Sequence, residues 1–306
     1  MHRFAHRALL ASILGLSLIG SACGSSGGGS PSGGSKGTIT VAGFNFAESS
    51  IAANIYGGAL KGAGYTVNYK LNLGNREVVE PALERGEIDL YPGYAATDLE
   101  FINQNKGEAT PEAKATVDKL NTYLSGKNEK ALNPAPAIDA NAFAVKKDGK
   151  YGKYTKLSDL ASVASEMKLG GPPECPKRPF CQAGLEKTYG LHFKAFQALD
   201  SGGPLTKSAL DKGDIDIGLI FSSDSAYSTG KYVQLKDDKK LQNADNLTPI
   251  VGTKHVDGDA QSLLNQVSAK LTTDELIKMN KRADVDKDDP DVIAKDWLKG
   301  HGFKTG

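Results

Sequence analysis

The sequence predicts an α/β protein of two lobes built to one design, and three observations carry that expectation. Thr38–Tyr91 alternates strand, helix, strand, helix, strand, the order that builds parallel sheets. Within it, Ala82–Asp89 (Ala-Leu-Glu-Arg-Gly-Glu-Ile-Asp) returns 127 residues later as Ala209–Asp216 (Ala-Leu-Asp-Lys-Gly-Asp-Ile-Asp). Each copy reads as a helix end, a glycine stop and a short apolar strand. Finally, the 306 residues, less an N-terminal export segment, suit two domains of ordinary size. In open parallel sheets ligands bind beyond the carboxyl ends of strands. The residues after the repeated strands are therefore pocket candidates: Tyr91, Tyr94 and Thr97 in one lobe, Phe221, Ser222 and Asp224 in the other.

Thr38–Ala42 is β-branched and alternating, a first strand. Ile51, Ile55 and Ala59 recur at four-residue spacing, a helix stopped near Gly64. Val67–Leu73 alternates as the second strand, and Asn75 caps a helix carrying Val78, Val79, Ala82 and Leu83. Pro81 suits that helix only in its first turn. Ile88–Tyr91 is the third strand, followed by a turn. Thr110 and Pro111 read as N-cap and first residue of a helix to Leu124. Ala142–Val145 leaves the first lobe as a strand. Met167–Leu169, Phe193–Ala198 and Ile215–Phe221 are strands of the second lobe, with helices near Ala183–Tyr189 and before Gly213. Leu247–Val251 returns to the first lobe. Three helices close the chain: a stripe of Leu263, Leu264, Val267 and Leu271; a capping box at Thr272–Glu275; and a helix from Asp289-Pro290 burying Val292, Ile293 and Trp297.

The N-terminus is a targeting segment. Arg3 and Arg7 precede the apolar run Ala8–Gly20, which is shorter than the roughly 20 residues of a spanning helix. Gly20-Ser21-Ala22-Cys23 follows, resembling a bacterial lipoprotein signal in which Cys23 is lipidated; the alternative is an ordinary cleaved signal. Gly24–Gly37 is nearly all Gly and Ser, a flexible tether. The expected organisation is thus signal 1–22, tether 23–37, first lobe 38–141 with 246–306, and second lobe 142–245. Export implies an oxidising compartment, so Cys175 and Cys181 are expected as a disulfide closing a short loop. The rival, a metal site, fits two cysteines without a nearby histidine pair poorly.

Composition excludes several functions. The 37 basic and 36 acidic residues leave a net charge of +1 with no basic run, so nucleic acid has no electrostatic footprint. The five histidines (His2, His6, His192, His255 and His301) show no metal spacing. Gly-x-Ser-x-Gly, His-Glu-x-x-His and phosphate-loop glycines are absent. No enzyme, cofactor or metal is expected.

Phe44–Glu48, Ala82–Thr97, Leu199–Asp224, Asp237–Lys239, Thr248–Val251 and Trp297–Gly302 together resemble the substrate-binding lipoproteins of ABC importers for glycine betaine, carnitine, choline and related quaternary ammonium solutes. The resemblance spans Thr38–Gly302. It implies a type II periplasmic-binding-protein fold, each lobe a small, mostly parallel sheet flanked by helices. It also implies a monomer that closes like a hinge on its solute and docks on a permease with its ATPase. In that family, tyrosines cage the trimethylammonium head by cation–π attraction, and basic residues with a threonine hold a carboxylate. Position by position, Tyr94 takes a cage tyrosine, Thr97 the hydroxyl and Arg178 the arginine. Phe44 stands where a lysine is frequent; Asn141, Phe221 and a residue near Lys207 stand where tyrosines do. Phe44 and Phe221 still offer π-faces. Asp224 is a ligand candidate, with capping of the following segment as the alternative. Arg76 is read as a solvated helix start that could instead supply the missing lysine charge, and Glu48 as a first-turn residue. The same scaffold binding an amino acid or polyamine, or serving as a non-transport surface sensor, remains the alternative.

Overall fold

The computed structural model describes residues 36–306; the signal segment, Cys23 and the tether up to residue 35 lie outside the described residues. The chain runs β1 (Thr38–Phe44), α1 (Ala47–Gly62), β2 (Thr66–Gly74), α2 (Arg76–Glu84), β3 (Leu90–Tyr94), α3 (Ala95–Ile102), α4 (Ala113–Leu124) and β4 (Glu129–Ala131). It continues through β5 (Asn141–Lys146), β6 (Lys168–Gly171), α5 (Gln182–Tyr189), β7 (Ala195–Ala198), α6 (Pro204–Lys212), β8 (Ile217–Phe221) and β9 (Tyr232–Leu235). β10 (Leu247–Gly252), α7 (Gly258–Ser268), α8 (Thr273–Lys281) and α9 (Pro290–Gly300) complete it.

The strands form two five-stranded sheets, ordered β2-β1-β3-β10-β4 and β7-β6-β8-β5-β9. In each, three neighbouring strands are parallel and the fourth runs against both of its neighbours. That reversed strand is the one arriving from the other sheet's part of the chain: β10 enters the first sheet, β5 the second. The repeated sequence units occupy equivalent places. α2–Gly86–β3 and α6–Gly213–β8 each end beside the reversed strand, and both glycines sit at positive φ (+70° and +77°) with open space where a Cβ would lie. Glycine is required there by backbone conformation, not by crowding.

Each sheet has its own apolar packing. One core gathers β1, α1, β3, β10 and the C-terminal helices, including Ile39, Ile55, Leu90, Ile250, Leu264 and Ile293. Two smaller clusters lie on the second sheet, one around Phe143, Leu169 and Leu185, the other around Ala144, Leu210 and Ile220. The two crossings run side by side: Ile138 bridges Asn246, and the Asp139 amide donates to the Asp245 carbonyl (3.1 Å).

Several expectations shift. The third strand begins later, at Leu90, and runs into a helix, α3, where a turn was expected; Tyr94 is its N-cap and Thr97 lies in its first turn. α4 starts at Ala113, because the Thr110 hydroxyl accepts from the Glu112 amide and bonds Thr116 instead of capping. Pro81 sits beyond the first turn of α2, which nonetheless continues to Glu84. Val292 is 43 % exposed, and α9 buries Ile293, Ala294, Trp297 and Leu298. The Thr272–Glu275 capping box forms as expected.

Cys175 and Cys181 are joined by a disulfide that closes the loop carrying Arg178. A loop this short contributes about 2 kcal/mol through chain entropy. Replacing both cysteines with serine is expected to lower the unfolding free energy by about that amount in a denaturant titration; an unchanged midpoint and slope would contradict the assignment.

Candidate functional site

One cavity between the two sheets is lined from both sides. Phe44, Asn45, Phe46, Asn75, Arg76, Tyr94 and Thr97 come from the first; Asn141, Glu174, Arg178 and Phe221 come from the second; Asp139 and Asp245 come from the crossings. Six of the seven sequence candidates therefore meet here: Phe44, Tyr94, Thr97, Asn141, Arg178 and Phe221.

The rings converge because three strand ends do. β1 ends at Phe44 and Phe46 caps α1; β3 ends at Tyr94; β8 ends at Phe221. Phe46 is the hub, its centroid 5.9 Å from Phe44, 6.1 Å from Tyr94 and 5.2 Å from Phe221. Tyr91 packs edge-on against Phe44 (5.5 Å) and is fully buried behind it, outside the lining. Such a cluster offers several negative π-faces to a cation while excluding water.

Tyr94 is held at two points, the second of them braced by an ion pair. Its hydroxyl donates to Glu48 Oε1 (2.8 Å), its amide donates to Asp98 Oδ2 (2.7 Å), and Asp98 Oδ1 pairs with Arg76 Nε (2.5 Å). Glycine at 93 makes room for this arrangement, since a Cβ there would lie 2.2 Å from Asp98 Oδ2. Arg76 is only 7 % exposed and holds its guanidinium 5.0 Å over the Phe44 ring. The solvated helix start expected of Arg76 is thus corrected: Asp98, hidden in α3, draws the cation inward. Its charge stands beside Phe44, the position where the resemblance implied a lysine.

Glu48 is also more than a first-turn residue. It is buried and accepts from Ser223 Oγ (2.5 Å) and Asn280 Nδ2 (2.6 Å) as well as Tyr94, joining α1, the segment after β8, and α8. Burial pushes its carboxyl up, against those three donors. Neighbouring Asp139 is held well above the usual carboxylate range, by burial first and then by the Glu48 charge. Asp245 is pushed up to about 6 by burial, although Thr97 donates to it through both amide and hydroxyl.

Arg178 reaches across the cleft: its Nη2 donates to both carboxylate oxygens of Glu77 on α2, each at 2.9 Å, with Glu174 at 3.7 Å. Its Nε is buried without a protein partner. Asn141 turns its amide to the Phe180 carbonyl (3.0 Å). Asp224 is the candidate the structure places elsewhere. Its Oδ1 accepts from the Ala226 amide (2.7 Å), the capping alternative, and its Oδ2 pairs with Lys207 (2.7 Å), which also faces Asp284 (3.3 Å). Both Lys207 and Asp224 line a neighbouring cavity beyond Phe46 and Phe221, with Asp200, Asn280 and Pro290. Asp139, Asp245 and Glu174 went unnoticed in the sequence because isolated acids in irregular segments carry no periodicity. Phe46 had a signal, its place between the first strand and the first helix.

Among the described residues no group of His, Cys, Asp and Glu could hold a metal ion, and no helix is long and apolar enough to cross a membrane.

Residues 37–300 match the protein family described as the substrate binding domain of ABC-type glycine betaine transport system. The carnitine transport binding protein OpuCC of Listeria monocytogenes is 27 % identical over 302 residues, 96 % of each chain. The glycine betaine-binding protein YehZ of Escherichia coli K12 is 26 % identical over 268 residues, covering 84 % of this chain and 88 % of YehZ. Among solved structures, a glycine betaine/carnitine/choline ABC transporter protein superposes with a TM-score of 0.68 at 21 % identity, over 87 % of this chain and 99 % of that one. The shared fold is the two-lobed, type II periplasmic-binding-protein architecture. By the match over residues 37–300, the chain belongs to the substrate-binding domains of ABC-type glycine betaine transport systems, and is a solute-binding protein rather than an enzyme.

Proposed function

We propose that this protein captures a quaternary ammonium osmolyte, glycine betaine or a close relative, outside the cytoplasm and delivers it to a permease and its ATPase. The observation that carries this reading is the ring cluster of Phe44, Phe46, Tyr94 and Phe221, contributed by both sheets around one cavity. Each desolvated ring face contributes about 0.5–2 kcal/mol toward a methylated ammonium. The two sheets belong to lobes 38–141 with 246–306, and 142–245, hinged at the paired crossings near Ile138 and Asn246. Glu48 to Ser223 is a contact that such a hinge makes on closing. The mature chain is a monomer anchored through lipidated Cys23, the tether leaving its lobes free to meet the permease.

The names of the relatives support the solute class. The test is mass spectrometry of small molecules released from protein purified from its native envelope. A quaternary ammonium compound at near-stoichiometric yield is expected; an amino acid or polyamine in its place would overturn the solute assignment.

A further inference from the structure

Two donors would grip the carboxylate of a zwitterionic solute, Arg178 and Thr97, and both already serve protein carboxylates. Arg178 Nη2 is held by both oxygens of Glu77, and the Thr97 hydroxyl and amide donate to Asp245. The other cation of the lining, Arg76, is paired with Asp98. What the cavity presents without a matching cation is acidic: Asp139 and Asp245 line it, and Glu48 stands behind Tyr94.

We propose that Glu77 sets the solute class: by clamping Arg178 across the cleft it quenches the pocket's outermost cation, so that the protein prefers a quaternary ammonium alcohol, of the choline type, to a betaine bearing a carboxylate. This rests on the quaternary ammonium reading above. A solute carboxylate approaching Arg178 would meet the Glu77 carboxylate on the same guanidinium, and like charges at such range repel strongly away from bulk water. The buried Arg178 Nε still has a proton to donate, and an uncharged hydroxyl oxygen accepts it without that repulsion. The same hydroxyl can in turn donate to a carboxylate. The ammonium head meets the rings, and its charge favours the ionised form of Asp139 and Asp245, acids that burial and neighbouring carboxylates hold toward neutrality.

Glu77 is a specificity determinant that need not touch the solute. Its side chain is 41 % exposed on α2, so Glu77→Gln removes the charge without opening a core. The experiment is isothermal titration of choline and of glycine betaine into the full mature protein and into Glu77→Gln, each checked by thermal melting. Wild type is expected to bind choline about tenfold more tightly than glycine betaine. In Glu77→Gln, glycine betaine should tighten about fivefold while choline stays within about twofold, because only the carboxylate feels the missing charge. The proposal is overturned if wild type favours glycine betaine, or if Glu77→Gln weakens glycine betaine selectively, for then Glu77 orients Arg178 for the carboxylate. Equal weakening of both solutes also overturns it, since that is the mark of a closure contact alone. Heat from neither solute with either protein removes the quaternary ammonium reading itself, and this proposal with it.

Discussion

Tyr94→Ala is expected to weaken binding of a quaternary ammonium solute about thirtyfold, equivalent to about 2 kcal/mol, while Tyr94→Phe leaves binding within about threefold. The ring stands 6.1 Å from Phe46 and 6.4 Å from Phe44, so its removal opens the wall of the aromatic cluster. The phenylalanine variant keeps the π-face and loses only the hydroxyl that donates to Glu48. Its cost falls on the fold instead: buried Glu48 would keep two of its three side-chain donors, and the unfolding free energy should drop by about 1–2 kcal/mol. Titration calorimetry and denaturant unfolding on the two variants separate these effects. Equal loss of affinity in both would show that the hydroxyl, not the ring, carries binding.

The second large effect is on stability against pH. Glu129, on β4 at the edge of the first sheet, is 4 % exposed, and both carboxylate oxygens lack a protein partner. The neighbouring Lys127 is taken by Glu80 (3.1 Å) and Glu84 (3.1 Å). Burial, and then the Glu80 charge, push Glu129 up to about 7 from an unfolded value of 4.5. A carboxyl raised on folding binds its proton more tightly in the native state. It therefore contributes stability that is full below its unfolded value and is lost as pH rises from there through about 7. Asp245, pushed up to about 6, acts in the same direction over a lower window that starts from 3.8. Thermal stability should thus be higher near pH 5 than near pH 8. Glu129→Gln should remove part of that slope and raise stability at pH 8 by about 2 kcal/mol, a figure reduced from the full shift for solvent screening. A wild type equally stable at both pH values, or a glutamine variant less stable at pH 8, would contradict the assignment.

How much of this was legible in the sequence depends on the range of the interaction. The helix–glycine–strand units were readable because they are local: periodicity, a left-handed glycine and a buried strand need only about ten neighbouring residues. Their recurrence announced two sheets of one design, and it pointed to the strand ends where Tyr94 and Phe221 stand, both lining one cavity. The reversed strand of each sheet comes from the other half of the chain, and its pairing partners are written nowhere near it. Arg76 illustrates the same limit within the site. At the start of α2 a charged residue reads as solvated, and only Asp98, 22 residues on and folded beneath it, makes burial affordable. Glu48 needed Ser223 and Asn280, which are 175 and 232 residues away. Asp224 misled for the converse reason: a local cap to Ala226 competes with a site role, and here the cap and Lys207 take the side chain.

Whether one aromatic cleft between the lobes holds the ammonium head is tested most directly by a crystal structure of the protein with choline or glycine betaine. The methylated nitrogen is expected within about 6 Å of the ring centroids of Phe46, Tyr94 and Phe221, with the solute enclosed by both lobes. A solute whose ammonium lies outside that ring cluster, or which contacts one lobe only, would contradict it.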